Sequence, residues 1–397
     1  MRIFLKNNLV FIFLLLIITQ IKAQIQYKSA TIMFYNVENL YDTIQSADLI
    51  NGTLHPNDPK YQISVPESEA LKSGYEVYRG ELSFTKLKGK KVIRKHILTD
   101  EFHYKGTKRW DSKKYTEKIN HISRVISETG KSETQSMPVI IGLCEIENEQ
   151  VLLDLCEAIK KKGGNYGFIH LNSFDARGID VGLLYNKMRF IPLSQQRLFI
   201  DLPREDGYKN YTRDILLVEG LLDGEKMFFL VNHWPSRRGG EQKSLPNRLA
   251  AANVLKQAMD SLTNINPKAK IVAMGDFNDD SNSPSIKKGL NTISKKEKVT
   301  AGTYYNPAEN LFKKGLGTIA YQDSFSFFDQ QIISPGLITD EEGYHFYKMN
   351  VFAPPYLVTQ EGLWKGYPFR SFSNDNYTGG YSDHFPVYTI LIKKINK

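Results

Sequence analysis

Two cysteines in 397 residues, Cys144 and Cys156, are too few to staple a scaffold, so a buried core must hold the fold. Neither has a histidine beside it in sequence to make a thiol nucleophile, and two buried free thiols are expected. There is no H-E-x-x-H and no Cys/His array with zinc spacing. Walker and Rossmann glycine patterns are missing, which leaves P-loop nucleotide hydrolysis and hydride transfer unsupported, and no Gly-x-Ser-x-Gly elbow suggests a serine hydrolase. Internal repeats are absent. Beyond the N-terminus no apolar run is long enough to cross a bilayer.

The apolar run at the start has another reading. Leu9 to Ile18 follows Arg2 and Lys6 and precedes Ile21-Lys22-Ala23, the pattern of a secretory leader. The expectation is removal of residues 1–23 and an exported chain 24–397, secreted or periplasmic, with no cysteine after the run to carry a lipid. The bulky Ile21, third before the cut, is atypical of a cleavage site. Net charge is +9, falling to +6 once Arg2, Lys6 and Lys22 leave with the leader. A surplus of that sign attracts nucleic acid and acidic lipid surfaces alike. It is densest at Lys86, Lys88, Lys90, Lys91, Arg94 and Lys95, which read either as a phosphate-tracking loop or as a solvated β-hairpin turning at Gly89.

A hydrophobic content of 41% over this length is enough for a sizeable core. Residues 24–36 pattern as a first strand, and about 42–110 is polar and Pro- and Gly-containing, which reads as an insertion or lid. Helical spacing follows from Trp110 to Thr129 (Tyr115, Ile119, Ile122, Val125, Ile126), from Val151 to Lys162 and from Leu245 to Leu262. Strand-like runs alternate with these helices and dominate between 180 and 233.

Five junctions combine a short β-rich run with carboxylate, amide or imidazole chemistry. Ala30 to Tyr35 runs into Asn36-Val37-Glu38-Asn39, and Pro138 to Cys144 into Glu145-Ile146-Glu147-Asn148. Lys226 to Asn232 runs into His233-Trp234-Pro235, and Lys270 to Gly275 into Asp276-Phe277-Asn278-Asp279. Near the C-terminus, Asp383-His384 stands directly before Phe385 to Ile392. One such junction is ordinary turn chemistry; five describe a site assembled from strand ends. Carboxylates can hold a hard cation, and an imidazole can donate to a phosphoryl oxygen.

In this order the segments F-Y-N-V-E-N-L (34–40), G-L-C-E-I-E-N (142–148), D-V-G-L-L-Y-N (180–186), N-H-W-P-S-R-R-G-G (232–240), G-D-F-N-D (275–279), F-D-Q-Q-I-I-S (328–334) and S-D-H-F-P-V (382–387) resemble the endonuclease/exonuclease/phosphatase superfamily. That group includes pancreatic-type deoxyribonucleases, abasic-site endonucleases, inositol-phosphate phosphatases and neutral sphingomyelinases. N-V-E-N-L and N-H-W-P-S are closest to its secreted bacterial members. The resemblance implies an α/β fold: a four-layer sandwich of two packed, mainly antiparallel or mixed β-sheets flanked by helices, spanning 24–397 with the insertion at about 42–110.

It also implies roles. Glu145 is the principal ligand of Mg²⁺, which Mn²⁺ or Ca²⁺ can replace, with Asn36 and Asp383 beside it and Glu38 acting through water. The family often has Asp where Glu38 stands. Asp276 and Asn278 hold the attacking water and the scissile phosphate, while His384 donates to the phosphate and is oriented by Asp329, with Asp323 as the alternative. His233 is a second imidazole, as in the deoxyribonuclease branch. Arg237 and Arg238 either fork onto phosphate oxygens or form an exposed basic loop, and Arg248 either joins them or makes an internal salt bridge.

The leading expectation is a secreted, Mg²⁺-dependent phosphodiesterase, an endonuclease on extracellular DNA or RNA, acting as a monomer. The alternative is a phospholipid or inositol-phosphate hydrolase, for which Val351 to Leu357 with Trp364 is the candidate membrane contact. A third reading, a catalytically dead polyanion-binding module, would have no need of Glu145, Asp276, Asn278, Asp383 and His384.

Overall fold

The computed structural model describes residues 26–43, 75–77, 84–88, 91–95, 101–102, 104, 106–173, 175, 177–203, 212–340 and 342–395. The expected leader, 1–23, and most of the expected insertion lie outside them. Within the lysine-rich segment, Phe84–Lys88 and Lys91–Lys95 pair antiparallel, as a hairpin would.

Thirteen strands build the body of the molecule. In chain order they are β1 (Tyr27–Leu40), β2 (Ile140–Ile146), β3 (Tyr166–Leu171), β4 (Asp180–Asn186), β5 (Phe190–Leu198), β6 (Ile215–Leu222), β7 (Glu225–His233), β8 (Ile271–Asp276), β9 (Thr292–Ile293), β10 (Tyr304–Tyr305), β11 (Asp329–Ile333), β12 (His345–Val351) and β13 (Val387–Lys394). One sheet has six strands in the order β12-β13-β1-β2-β4-β3; the other has seven, β9-β10-β11-β8-β7-β6-β5. Both are mixed. β1 and β2 are parallel, as are β7 and β8, while β1 with β13 and β8 with β11 are antiparallel.

Side chains alternate between the faces of a strand, and here both faces are apolar because both are covered. In β1, Ile32 and Phe34 enter the core between the sheets, whereas Met33 and Tyr35 enter the core under the helices. β2 divides in the same way, Ile140 and Cys144 against Ile141 and Leu143, and β8 sends Val272 and Met274 inward and Ile271 and Ala273 outward. Helices α1 (Ser112–Glu128) and α2 (Glu149–Lys160) press Ile119, Ile122, Ile126, Leu152 and Leu155 onto the six-stranded sheet. Helix α3 (Glu241–Ile265) lays Ala251, Leu255 and Met259 on the other. Three apolar interfaces between four layers result, each fully buried Leu or Ile contributing roughly 1.5–3 kcal/mol. The expected sandwich is the observed fold. α1 and α2 begin at polar caps, Asp111 accepting from the Lys114 N–H and Asn148 from the Val151 N–H. Both cysteines are buried and free, Cys144 on β2 and Cys156 on α2.

An ionic latch ties the two sheets together. Asp223 sits with φ 49° in the Asp-Gly turn between β6 and β7 and accepts from Arg189 (2.7 Å) after β4, from Lys28 (2.7 Å) on β1 and from the Tyr344 hydroxyl (2.6 Å) before β12. Burial pushes its carboxyl up, but these donors outweigh it and bring the pKa down to about 2. A depressed folded-state pKa stabilises above the unfolded value and is lost as pH falls through the folded one. Asp223→Asn should therefore lower the melting temperature at pH 7, and the gap from the unmutated protein should narrow between pH 4 and pH 2 in parallel thermal melts.

Candidate active site

Two strands do not stop at their polar residues; they kink through them. β1 continues past Asn36 with Glu38 and Asn39 at φ 49° and 55°, and its register with β2 slips between Asn36 and Leu40. β2 passes through Glu145 at φ 62°, slipping against β4 between Cys144 and Ile146. Left-handed backbone at a non-glycine residue is unfavourable, so something must hold it. The Glu38 N–H donates to Asn36 Oδ1 (3.0 Å) and the Asn39 N–H to Glu145 Oε2 (3.0 Å). The two bulges thus lock each other and turn Glu38 and Glu145 toward one end of the sandwich.

The other sheet supplies a row. His233 on β7 is the register partner of Asp276 on β8, which in turn partners Asp329 on β11. Asp276 Oδ2 lies 3.8 Å from His233 Nε2 and 3.8 Å from His384 Nε2, and accepts from Asn36 Nδ2 at 3.1 Å. Asp329 Oδ2 is 2.6 Å from His384 Nδ1, which aims Nε2 into the site. His233 Nε2 also stands 3.9 Å from Glu145 Oε1. The Asn278 N–H fixes Asp276 Oδ1 (2.9 Å), and its side-chain amide donates to the Trp234 carbonyl (3.0 Å). Asp383 lies at the rim, 3.3 Å from Arg370. The backbone thus brings together Asn36, Glu38, Glu145, His233, Asp276, Asn278, Asp329, Asp383 and His384. Asp329 rather than Asp323 meets the histidine; Asp323 instead accepts from the Tyr367 hydroxyl (2.9 Å).

The two other proposed phosphate ligands stand differently. Arg237 is engaged by Asp279 (3.0 Å), Asp280 (3.2 Å) and Glu241 (3.3 Å), while Arg238 is exposed. Arg248 is fully buried against Asp279 (2.7 Å), an internal salt bridge. Asp180 holds His170 (3.1 Å) and the Ser173 N–H (2.8 Å).

Burial and charge set the protonation of these groups. Burial raises Asp276 to about 6, His384 opposing and Asp329 adding to the shift. Glu38 rises to about 7 through burial and the nearby Asp383. Burial lowers the His384 pKa, but Asp329 and Asp276 more than reverse this and keep it charged; His233, although 3.8 Å from Asp276, is driven well below its usual value by burial and Arg213. Glu145, although buried, is held below the usual carboxylate range by Arg177 and His384.

A model of the endonuclease/exonuclease/phosphatase family matches residues 92–394. The chain belongs to this family. Its members are hydrolases of phosphoester bonds and are generally dependent on a divalent metal. Among solved structures, a protein of the family from Bacteroides thetaiotaomicron is 15% identical, covering 93% of this chain and 97% of its own, with a TM-score of 0.48. Truncated TDP2 of Caenorhabditis elegans is 16% identical over 71% of this chain and 92% of that one, TM-score 0.45. A Bacteroides thetaiotaomicron mannosyl-6-phosphatase is 16% identical over 70% and 92%, TM-score 0.43. No curated protein matches the chain.

The donors fit the family's cation. They are carboxylate and amide oxygens, the hard ligands that Mg²⁺ prefers. The charge of Glu145 and Asp383 is met here by the guanidinium groups of Arg177 (3.3 Å) and Arg370 (3.3 Å), in a site otherwise crowded with carboxylates. A second grouping, Asp276, Asp329 and His384, brings ligand atoms within 4.8 Å of one another, although the Asp329 hydrogen bond already engages His384 Nδ1. Among the described residues, Asp329 Oδ1 and His233 Nδ1 are buried without a hydrogen-bond partner, which leaves them free to meet a polar ligand.

Sequence reasoning missed the supporting cations. Arg177 lies in the loop before β4, and Arg213 reaches Asp175 (2.8 Å) and the Trp234 carbonyl (2.8 Å) from before β6. Lys118 is fully buried on α1 and donates to the Glu38 carbonyl (2.5 Å) and Ser371 Oγ (2.6 Å), bolting the β1 bulge to the segment that carries Arg370. A lysine on an amphipathic helix carries no signal of this; only its position on the apolar side between Tyr115 and Ile119 hinted at burial. Lys118→Met keeps the volume but leaves both acceptors unpaired, so the free energy of unfolding in urea should fall by about 1–3 kcal/mol. An unchanged midpoint would show that the bolt carries no load.

Proposed function

We propose that this chain is an exported, Mg²⁺-assisted phosphodiesterase that hydrolyses nucleic acid. The observation that carries the chemistry is the convergence of two imidazoles, His233 and His384, on one oxygen of Asp276, at the edge of a carboxylate–amide cluster. In the proposed reaction Asp276 orients the attacking water and takes its proton as the water oxygen bonds to phosphorus, while the bond to the leaving oxygen breaks and that oxygen is protonated from solvent. His384, fixed by Asp329, donates a hydrogen bond to the phosphoryl group through Nε2. His233 offers its neutral ring from the opposite side. Asn278 holds Asp276 in place through its backbone N–H. A divalent cation held by Glu145, Asn36 and Asp383 would neutralise phosphoryl charge and stabilise the leaving oxygen.

Nucleic acid as substrate is supported by exposed cations next to site residues, Arg238 following Arg237 and Arg370 against Asp383, on a chain whose net charge of +6 without the leader suits a polyanion of either kind. Export rests on the N-terminal sequence pattern.

Supercoiled plasmid in Mg²⁺ is the direct test. His384→Ala and Glu145→Ala should each reduce nicking about a hundredfold or more with circular dichroism unchanged, and a chelator should abolish it until Mg²⁺ is restored. Loss of less than tenfold in either variant contradicts the assigned roles.

A further inference from the structure

One structural element beside the Asp329–His384 pair has no part in the chemistry above. Between Thr318 and Asp329 the chain makes a hairpin, Ile319–Tyr321 against Ser324–Ser326, turned by Gln322 and Asp323 at φ 48° and 58°. Both of its feet rest on the catalytic pair. Ile319 bridges His384, the Phe385 N–H donates to the Thr318 carbonyl (2.7 Å), and the Asp329 N–H donates to Thr318 Oγ1 (3.2 Å). The hairpin therefore rises directly from the reaction centre, with Tyr321 about 7 Å along the strand from the Ile319 bridge.

Its surface is aromatic. Tyr321 is 73% exposed. On the opposite face Phe325 packs on Tyr367 (6.2 Å between centroids), and Tyr367 packs on Trp364 (5.4 Å), which is 50% exposed. The Tyr367 hydroxyl clasps the turn, accepting from the Asp323 N–H (2.7 Å) and donating to its carboxylate (2.9 Å), so hairpin and loop form one spur. Lys365 beside Trp364 and Arg370 further along the loop are exposed cations. In the neighbouring Val351 to Leu357, which with Trp364 formed the candidate membrane contact, Leu357 is buried and Tyr356 packs on Arg124 and Glu128 of α1, while Ala353 and Pro355 are exposed. At the tip Leu363, 83% exposed, stands beside Trp364 and Lys365, and the exposed rings suit flat bases carried on a polyanion.

We infer that Tyr321 and Trp364 are base-stacking residues that grip unpaired nucleotides flanking the scissile phosphate, so that single-stranded or frayed nucleic acid is the preferred substrate. Exposed rings interleaved with cations bind single strands in this way, with little sequence preference, and a base stacked inside a duplex is not available to them. The inference rests on the nuclease reading above.

Two oligonucleotides of equal length separate the two claims, one with ordinary bases and one with tetrahydrofuran abasic units throughout, alongside the matching duplex. The wild-type chain should cleave the ordinary single strand with a KM about tenfold below those of the abasic strand and the duplex. Trp364→Ala and Tyr321→Ala should raise KM on the ordinary strand toward the abasic value, with kcat within about twofold and the abasic KM unchanged. Equal KM for ordinary and abasic strands, or variants indistinguishable from wild type, overturns stacking while leaving the nuclease reading intact. No cleavage of any oligonucleotide overturns the nuclease reading itself. Loss of binding to phosphatidylserine vesicles in the same variants, with oligonucleotide kinetics unchanged, overturns stacking in favour of a lipid surface.

Discussion

The two sheets pack directly on each other at Gly142, where an added Cβ would lie 2.6 Å from the sulfur of Met274. A side chain there would have to displace those of Met274 and Phe34. Three residues further along β2 stands Glu145, and two further along β8 stands Asp276. The contact therefore sets how near the carboxylate end of one sheet comes to the imidazole row of the other. Interiors are close-packed and repack in discrete steps, so a spacing fixed at the core is transmitted to the strand ends with little loss. A chemistry that needs groups from both sheets within hydrogen-bonding reach depends on that packing.

Much of the site was legible because its residues sit directly against apolar runs. Asn36, Glu145, His233, Asp276 and His384 each border a stretch that burial alone identifies as strand, and the order of the motifs did the rest. The pairing of His233 with Asp276 and of Asp276 with Asp329 was not legible, because register is a property of neighbouring strands rather than of either sequence. Nor were the kinks at Glu38, Asn39 and Glu145; the pattern suggested loops where the strands in fact continue through bulges. Arg177, Arg213 and Lys118 escaped for another reason. Long cations act at a distance from their own backbone, and nothing in the local sequence tells a solvated arginine from one that crosses a loop to meet a carboxylate. The opposite error lay open at Arg237, whose motif setting suggests phosphate while its guanidinium is shared among Asp279, Asp280 and Glu241.

Charge is unevenly divided along the sandwich. The latch around Asp223 joins one carboxylate to two cations and a phenol, which satisfies it and stabilises the fold. The site does the reverse, pressing Glu38, Asp276, Asp329 and Asp383 together and raising the carboxyls of Glu38 and Asp276. Crowding of that kind is unfavourable in the resting protein and useful only where a cation and a phosphoryl group are to be received. The balanced interactions elsewhere in the fold tolerate it.

The two thiols give the layers separate reporters. Cys144 points into the core between the sheets, and Cys156 into the core under α2. Cys144 is fully buried and Cys156 nearly so, and burial raises both pKa values, so alkylation of each is slow until its own interface opens. Labelling kinetics in the native protein would then time two distinct events, the parting of the sheets and the lifting of a helix, without introducing a probe. If the sheets part only on global unfolding while the helix lifts more often, the sandwich is a rigid frame with a looser skin.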